Sequence, residues 1–234
     1  MTDIQGTTMD GIVYDIYSRP SFSTLIFHLQ QGQSVTAEPG ALMYMHRTIE
    51  IQTHSRGGVL KGLKVMALGG ESFFVNTFVA SQGPGDLALV PPTMGDIIPI
   101  NLQGFGMVVQ DTAYLANTQG VNIDTKWAGL KGFLAEKQFV MLHVSGNGTV
   151  FLNSFGSIIQ RDLQPGEVMC VDNGHIVAYS DNMQVNIRTV GGLKSTVLGG
   201  EGYVVDLTGP GRVILQTRTL PWFAQSLARY LPQR

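Results

Sequence analysis

Residues 68–85 read LGGESFFVNTFVASQGPG, and residues 198–211 repeat the pattern as LGGEGYVVDLTGPG. Each copy begins with Leu-Gly-Gly-Glu, continues through β-branched and aromatic residues, and ends at Gly-Pro-Gly. β-branched and aromatic residues favour strands, whereas glycine and proline favour tight turns. Each copy is therefore expected to form a strand that ends in a tight hairpin before a second strand.

A third, more divergent copy lies midway between these two. Equivalent glutamates and equivalent glycines each recur at an even interval, at Glu71, Glu136 and Glu201 and at Gly85, Gly148 and Gly211. A regular period is the sequence signature of a structural repeat. The chain is therefore predicted to be all-β, with three tandem repeats of about 64 residues each.

A second correspondence relates the start of the chain to its later part. One constant, ungapped offset aligns Gly32 with Gly166 and Gly40 with Gly174. The last strands are therefore expected to pair beside the first, which would complete a third sandwich and hide open sheet edges. The prediction is a single compact domain, residues 1–234, with approximate repeat boundaries at 64–134, at 135–198, and at 199–218 closing with 10–63.

Composition supports a folded protein that does not bind nucleic acid. Hydrophobic residues make up 44% of the chain and charged residues 14%, which excludes a disordered chain. The net charge is −2, without a run of like charge, so a phosphate-binding surface is not expected. The lone cysteine, Cys170, has apolar neighbours and is predicted to be a small buried side chain.

Location is inferred from the absence of targeting features. The first eleven residues contain two aspartates and no lysine or arginine, unlike a secretion signal. The apolar stretches are shorter than the roughly 18 residues that a membrane span needs. A cytoplasmic location without a transmembrane segment is expected, and peripheral association with a membrane is left open.

A short helix is predicted at the carboxyl end, over residues 221–232. Pro221 suits a first helical turn, and the apolar residues Phe223, Leu227, Tyr230 and Leu231 follow at helical spacing. The other marked positions are glycines predicted to form structural turns: Gly40, Gly70, Gly85, Gly148, Gly174, Gly200 and Gly211.

Four polar residues are candidates for ligand binding: Glu71, Glu201, Asp172 and His175. The glutamates stand beside glycine turns, where a carboxylate also accepts backbone N–H groups, and their repetition favours this structural role. Asp172 and His175 form either an acid–base pair or, more commonly for such residues, a hydrogen-bonded turn. No residue is predicted to be catalytic.

Familiar catalytic and cofactor motifs are absent from the sequence. The five histidines lack the spacing of metal ligands, so neither a metal site nor a cofactor is predicted. The Gly-x-Ser-x-Gly, Gly-x-Gly-x-x-Gly and phosphate-loop patterns do not occur. A protein without enzymatic activity is favoured, although catalytic carboxylates need no local motif.

Several motifs occur in an order that resembles the altered-inheritance-of-mitochondria family of mitochondrial biogenesis proteins and their prokaryotic homologues. They are EPGALMYM at 38–45, GGESFF at 69–74, NGHIVA at 173–178, and GEGY with GPG within 200–211. The resemblance covers roughly residues 10–218 and identifies a prokaryotic member, because the chain lacks a transit peptide. It implies three β-sandwich repeats, like a double-stranded β-helix, around a pseudo-threefold axis, similar to the tryptophan-attenuation RNA-binding protein. It also implies oligomerisation and no established enzymatic activity.

Three classes of function are compatible with these observations. The favoured one is a non-enzymatic oligomeric scaffold or adaptor with an unidentified protein partner. The alternatives are a small-ligand binding module or enzyme that uses a cleft between repeats, and an RNA-binding ring suggested by fold analogy alone. Because few charged residues are available to cover the sheet faces, a symmetric homo-oligomer is expected, and the resemblance suggests a trimer.

Overall fold

The computed structural model describes residues 2–55, 74–124, 140–189 and 203–231, which form nineteen strands, one α-helix and two short 3₁₀ turns. The strands pair antiparallel, so the all-β class and the single short helix are confirmed. Several positions marked by the sequence lie outside the described residues: Gly70, Glu71, Glu136, Gly200 and Glu201.

Two N-terminal strands precede three groups of strands. The N-terminal strands are β1 (Thr2–Thr7) and β2 (Val13–Arg19). Group 1 contains β3 (Thr24–Leu29), β4 (Ser34–Ala37), β5 (Leu42–Met45), β6 (Glu50–Ser55), β7 (Phe74–Val79) and β8 (Gly85–Leu89). Group 2 contains β9 (Ile97–Gln103), β10 (Met107–Gln110), β11 (Tyr114–Asn117), β12 (Val121–Asp124) and the long β13 (Met141–Asn153). Group 3 contains β14 (Ile158–Leu163), β15 (Val168–Asp172), β16 (Ile176–Ser180), β17 (Gln184–Thr189), β18 (Tyr203–Thr208) and β19 (Gly211–Gln216).

The same pairing scheme recurs in the three groups. The last strand lies between the first and third, as β3–β8–β5, β9–β13–β11 and β14–β19–β16. The fifth strand lies between the second and fourth, as β4–β7–β6, β10–β13–β12 and β15–β18–β17. In group 2, the two halves of β13 serve as the fifth and the last strand. The register also shifts at the same place in each third strand, at Leu42/Tyr44, Tyr114/Ala116 and Ile176/Ala178.

The last strands of the chain do not pair with the first ones in the described part of the structure. β18 pairs with β15 and β17, and β19 pairs with β14 and β16. β3 pairs instead with β2 and β8. The expected pairing of residues 199–218 with residues 10–63 is therefore not observed among these strands, because each last strand already has neighbours within its own group.

The glycines predicted to form hairpins mark crossings between sheets instead. Gly85 and Gly211 begin the last strands of their groups, and Gly148 lies in β13 just beyond the residues that pair with β12. A hairpin would require the fifth and last strands to pair with each other. Both sides of the fifth strand are already occupied, so the chain must cross to the other sheet. The hairpin prediction is wrong at these three positions.

Three apolar clusters form the core. The first combines group 1 and residues of the N-terminal segment with Ile97, Leu115, Ala116 and Phe151 of group 2. The Phe151 ring makes edge-to-face contacts with Phe27 and Tyr14, at centroid distances of 5.0 and 4.9 Å. The second cluster centres on group 2, and the third combines group 3 with two residues of group 2. Group 2 therefore packs against both of its neighbours, and such burial contributes about 1.5–3 kcal/mol per large side chain.

Helix α1 (Leu220–Ala228) follows the last strand and has Pro221 in its first turn, as the sequence predicts. Phe223 packs against Phe155 with a centroid distance of 5.3 Å. Trp222 is half-exposed, and Tyr230 beyond the helix is 86% exposed. In the described part of the chain, no helix has the length and apolarity required to cross a membrane.

Two glycines of similar backbone conformation provide a test of the crossing in group 2. Gly120 has a φ of +81° and Gly32 a φ of +86°. A methyl group on Gly120 would overlap the backbone oxygen of Asn147, whereas one on Gly32 would meet open space. We expect Gly32→Ala to lower the free energy of unfolding by about 1 kcal/mol and Gly120→Ala by about 3 kcal/mol, measured by denaturant titration. Equal losses would show that Asn147 does not approach Gly120 closely.

Candidate functional site

Two junctions join neighbouring groups, each between the second strand of one group and the third strand of the next. β4 pairs with β11 through Ala37–Ala116 and Thr36–Asn117. β10 pairs with β16 through Met107–Ser180, Val108–Tyr179 and Val109–Ala178. Every residue of β4, β10 and β11 is buried, and in β16 only the terminal Ser180 is partly exposed. The junctions are thus part of the hydrophobic core.

Among the described strands, the corresponding strands at the two ends of this series have a neighbour on one side only, and we call these two edges open. β5, the third strand of group 1, is the last strand of a five-stranded sheet, and β15, the second strand of group 3, is the last strand of a three-stranded sheet. No residue of β5 is fully buried, and Met43 is 60% exposed. In β15, Val168 is 58% exposed. Strands that are buried inside the chain therefore have exposed, apolar counterparts at its ends.

The local sequence explains this exposure. In β15 the inward residues Met169 and Val171 pack on the third core cluster, while Val168 and Cys170 face outward. In β5 the apolar run Leu42–Met45 continues past a bulge, and only Met45 packs on the first core cluster. Edge strands offer unpaired backbone groups to any further strand, and natural proteins usually protect them with charges. β5 carries no charged residue, and the one charged residue of β15 is Asp172, at the end of the strand.

Cys170 lies exposed on the outer face of β15, so the prediction of a buried cysteine is wrong. The side chain is on the outward side of a strand that alternates between core and solvent. The Arg188 Nη2 donates to Cys170 Sγ over 3.3 Å, and Arg188 also pairs with Asp206 at 2.7 Å. Partial desolvation and the neighbouring Asp206 raise the pKa of the Cys170 thiol. The thiol is therefore accessible but not activated as a nucleophile.

Asp172 and His175, which the sequence analysis considers as an acid–base pair or a hydrogen-bonded turn, have separate hydrogen-bond partners at the end of β15. Asp172 Oδ1 accepts the Gly174 N–H at 2.8 Å, and His175 Nδ1 lies 2.7 Å from the Gln216 carbonyl oxygen. Gln216 Nε2 in turn donates to the Gly174 carbonyl at 2.8 Å. The two side chains hold a 3₁₀ turn beside the open edge. The proposed ligand-binding residues Glu71 and Glu201 cannot be placed, because both lie outside the described residues.

Glu38 occupies the equivalent turn after β4. Its Oε1 atom is inaccessible to solvent and has no hydrogen-bond partner among the described residues. Burial, with a further contribution from the charge of Asp111, raises the pKa of Glu38 to about 8. The carboxyl group is thus protonated at neutral pH, beside the junction between β4 and β11.

A second polar arrangement crosses the sheet of β2, β3 and β8. His28 Nδ1 lies 2.8 Å from Asp86 Oδ1, and His28 Nε2 lies 3.0 Å from Asp15 Oδ2. The hydrogen bond that His28 donates to the Asp15 carboxylate raises the pKa of His28 and lowers the pKa of Asp15. Both ring nitrogens are occupied, so the cluster links three strands. Within residues 2–55, 74–124, 140–189 and 203–231, no group of His, Cys, Asp and Glu is arranged to hold a metal ion.

A cleft of about 380 Å³ lies between groups 2 and 3. Phe105, Met107 and Leu163 form much of its lining, together with Arg212 and Asp162. The two charged side chains already form a bidentate pair, at 2.7 and 2.9 Å. The cleft thus lies between two of the groups, and its charged side chains are directed at each other.

Sequence reasoning did not find the open edges, although a signal for one of them was present. Leu42–Met45 is an unbroken apolar run in a strand of four residues, whereas a solvent-facing edge strand normally alternates or carries charge. For β15 the apolar pattern resembles an ordinary half-buried strand. Its exposure depends on the lack of a second neighbouring strand in the described part of the structure, which a local sequence pattern cannot indicate.

Comparisons with known proteins place this architecture in a family. The family model described as mitochondrial biogenesis AIM24 matches residues 14–218. The chain is 32% identical over 219 residues to an uncharacterised protein of Streptococcus pyogenes serotype M6, covering 90% of this chain and 88% of that protein. It is also similar to the crystal structure of a Streptococcus pyogenes protein, with a TM-score of 0.77 and 30% identity, covering 94% of this chain and 100% of that one. With a match across most of its length and these bacterial relatives, the chain belongs to the mitochondrial biogenesis AIM24 family.

Proposed function

We propose that this protein is a non-enzymatic, homo-oligomeric scaffold built from three structural repeats, and that its open edges β5 and β15 are its assembly surfaces. One observation carries the proposal: the strands that are buried at the two internal junctions have exposed counterparts, β5 in the first group and β15 in the last group. A further copy on either side would give the end strands the environment of their internal counterparts.

The three groups are proposed to be repeats because independent details agree. The constant offset that aligns Gly32 with Gly166 also carries the bounds of β3, β4, β5 and β6 onto those of β14, β15, β16 and β17, within a residue. The turns between their first and second strands share a contact: the Gln30 N–H donates to the Gln33 side chain, and the Gln164 N–H to the Glu167 side chain, both at 2.8 Å. Since one type of junction joins successive repeats, a similar rotation relates each repeat to the next.

Association through the edges is favoured by the chemistry of the exposed residues. The edge residues are largely apolar, and only 14% of the chain is charged. Burial of apolar area contributes about 25 cal/mol per Å², and pairing of the strands satisfies their free backbone groups. Because β5 and β15 are different surfaces, the contact is head-to-tail, and it produces a ring if the rotation closes.

The alternative functions have less support. The charged groups lining the cleft between groups 2 and 3 are paired with each other, so they do not converge on an open site. A net charge of −2 disfavours the RNA-binding alternative, because phosphate contacts dominate affinity for nucleic acid. The scaffold also requires no catalytic group, in accord with the separate structural partners of Asp172 and His175.

Light scattering and native mass spectrometry test the assembly directly. We expect the mass of the wild-type protein at micromolar concentration to be that of two or more chains of 25.3 kDa each. Val168→Lys, which places a charge on the β15 edge, is expected to shift the mass to that of the monomer. Phe22→Lys is the matched control, because Phe22 is 66% exposed but lies in the turn before β3, away from both edges.

The result that overturns the scaffold proposal is a wild-type monomer at every concentration tested. An oligomer that survives Val168→Lys but dissociates with Phe22→Lys would locate the assembly surface elsewhere on the molecule. Circular dichroism of both variants verifies that the fold is retained.

A further inference from the structure

The carboxyl-terminal helix α1 presents an apolar surface to water. Every residue of 220–231 is exposed, and Leu220 and Leu231 are 52% and 63% exposed. The helix itself, Leu220–Ala228, contains no charged residue. A helix that faces water normally carries charged side chains, and a group of large exposed apolar residues usually marks a binding surface. The exposed helix therefore has the character of a surface that a partner covers.

The apolar side chains of this segment recur at helical spacing. Leu220, Phe223, Leu227 and Leu231 are three or four residues apart, so they follow one side of the helix. The chain keeps winding beyond the last helical residue, because the Leu231 N–H donates to the Ala228 carbonyl at 3.4 Å. These residues form a continuous apolar stripe.

The body of the protein holds the helix at its amino-terminal end. Thr219 is buried, and its carbonyl accepts the Phe223 N–H at 3.1 Å. The Phe223 ring packs edge-to-face on Phe155, at a centroid distance of 5.3 Å. Exposure then rises along the stripe, from 36% at Phe223 to 45% at Leu227 and 63% at Leu231. The helix is thus fixed at one end and most accessible at the other.

Positive charge flanks the helix on both sides. Arg218 precedes it and Arg229 follows it, and residues 207–234 contain no aspartate or glutamate, although the net charge of the chain is −2. Both arginines are exposed, and neither forms an ion pair with another residue that the structure describes. Their charges are therefore available to an anionic partner.

We propose that helix α1 and its flanking arginines bind peripherally to membranes that contain anionic phospholipids. A basic amphipathic helix lies in the membrane interface, with its apolar side against the acyl chains and its cations near the lipid phosphates. Trp222 and Tyr230 are exposed, and tryptophan and tyrosine are the residue types that membrane interfaces favour. The helix has nine residues, whereas a helical membrane span needs about 20, so the attachment is peripheral.

This surface differs from the proposed assembly edges and goes beyond the scaffold function. The family model matches residues 14–218, so the helix lies outside the part of the chain by which the family is recognised. A second copy of the chain is a less suitable occupant of the helix, because it would bring Arg218 and Arg229 near the same charges of its neighbour. An anionic lipid surface complements both the apolar stripe and the arginines.

Vesicle flotation tests the membrane contact in the full-length protein. We expect the protein to partition into vesicles of equal parts phosphatidylglycerol and phosphatidylcholine about tenfold more strongly than into vesicles of phosphatidylcholine alone. Each arginine near an anionic surface contributes about fivefold to binding, and two of them flank the helix. Higher ionic strength should reduce the difference between the two kinds of vesicle, because salt screens these charges.

Two variants with matched controls test the two parts of the surface. Leu227→Gln should lower partitioning into both kinds of vesicle about fivefold, because it removes an apolar side chain from the stripe. Phe105→Gln should leave partitioning unchanged. Phe105 is 47% exposed, against 45% for Leu227, and it follows the end of β9 that is far from the Phe155 contact.

The second pair of variants tests the charges. Arg218→Gln should lower partitioning about fivefold into the anionic vesicles only. Arg161→Gln is its control, because both guanidinium groups are exposed and donate to the carbonyl of the preceding residue, at 2.8 Å for Arg218 and 2.9 Å for Arg161. Arg161 lies opposite Val213, within the β14–β19 pair, and not at an end of the helix. Its replacement should leave partitioning unchanged.

Tryptophan fluorescence reports whether the helix itself enters the membrane interface. The emission of Trp222 should shift to shorter wavelength when anionic vesicles are added, because the indole leaves water. Trp222→Phe should lose this shift but still float with the vesicles, since phenylalanine preserves the apolar side chain. Flotation of the wild type without the Trp222 shift would place the membrane contact elsewhere and overturn the proposal.

The remaining outcomes are equally decisive. A wild-type protein that does not float with anionic vesicles, or floats equally with both kinds, would overturn the proposal. Flotation that is unchanged by both Leu227→Gln and Arg218→Gln would overturn it as well. If Leu227→Gln instead lowers the mass in light scattering and leaves flotation unchanged, the helix joins copies of the chain. A monomeric wild type that floats as expected would overturn the scaffold function and support membrane binding.

Discussion

Replacing Asp96 by alanine is expected to lower the free energy of unfolding by about 3–5 kcal/mol, because it leaves the charge of Arg19 buried without its partner. Arg19 Nε and Nη2 donate to the two Asp96 carboxylate oxygens at 2.6 and 2.8 Å. The side chains are only 19% and 5% exposed. Asp96 also accepts bonds from the Ser23 hydroxyl and the Ile97 N–H, so this carboxylate links the N-terminal strands to the start of β9.

The chain contains a matched control for that substitution. Arg212 and Asp162 form a pair of the same bidentate geometry, with distances of 2.7 and 2.9 Å, but their side chains are 49% and 63% exposed. Asp162→Ala is expected to change the free energy of unfolding by about 1 kcal/mol or less, because exposed ion pairs are screened by solvent. Denaturant titrations at fixed protein concentration measure both changes. Similar losses for the two variants would show that burial does not set the strength of the Arg19–Asp96 pair.

Replacing Glu38 by glutamine is expected to stabilise the protein increasingly as the pH rises. The pKa of Glu38 is raised from 4.5 to about 8, chiefly by burial. Between these values the unfolded chain releases a proton that the folded chain retains, so wild-type stability falls as pH increases. Glutamine removes this loss. The variant should match the wild type near pH 4 and exceed its free energy of unfolding by about 3 kcal/mol at pH 7, at 1.36 kcal/mol per pH unit.

Glu50→Gln is the control for the pH dependence. Glu50 is exposed, and hydrogen bonds from the side chains of Gln82 and Ser81 lower its pKa. Ionisation of Glu50 therefore stabilises the folded protein, whereas ionisation of Glu38 destabilises it. The Glu50→Gln variant should gain no stability relative to the wild type between pH 4 and pH 7. Urea titrations across that range provide the comparison. A Glu38→Gln variant with the same pH slope as the wild type would show that the Glu38 carboxyl is ionised in the folded protein.

Most residues of the candidate assembly surface could not be identified from the sequence alone. The turn residues Asp172 and His175 were recognised as a polar cluster, yet each turned out to have its own backbone partner. The apolar residues beside them were not recognised, since a run such as Val168–Val171 has the composition of any half-buried strand. The exposure of Cys170 was mispredicted for the same reason: its neighbours in sequence are apolar, but its neighbours across the sheet are Asp206 and Arg188.

The sequence by itself determined the all-β class, the terminal helix at Pro221, and the constant offset that relates β3–β6 to β14–β17. These features depend on the secondary-structure propensity of neighbouring residues and on their spacing, both of which can be read from the sequence. Only the tertiary structure decided that the chain crosses between sheets at Gly85 and Gly211, and that β5 and β15 each have one neighbour among the described strands. The reason is physical: which strand pairs with which is settled by contacts between distant residues, and a strand pattern specifies a face for the core but not a neighbour at its edge.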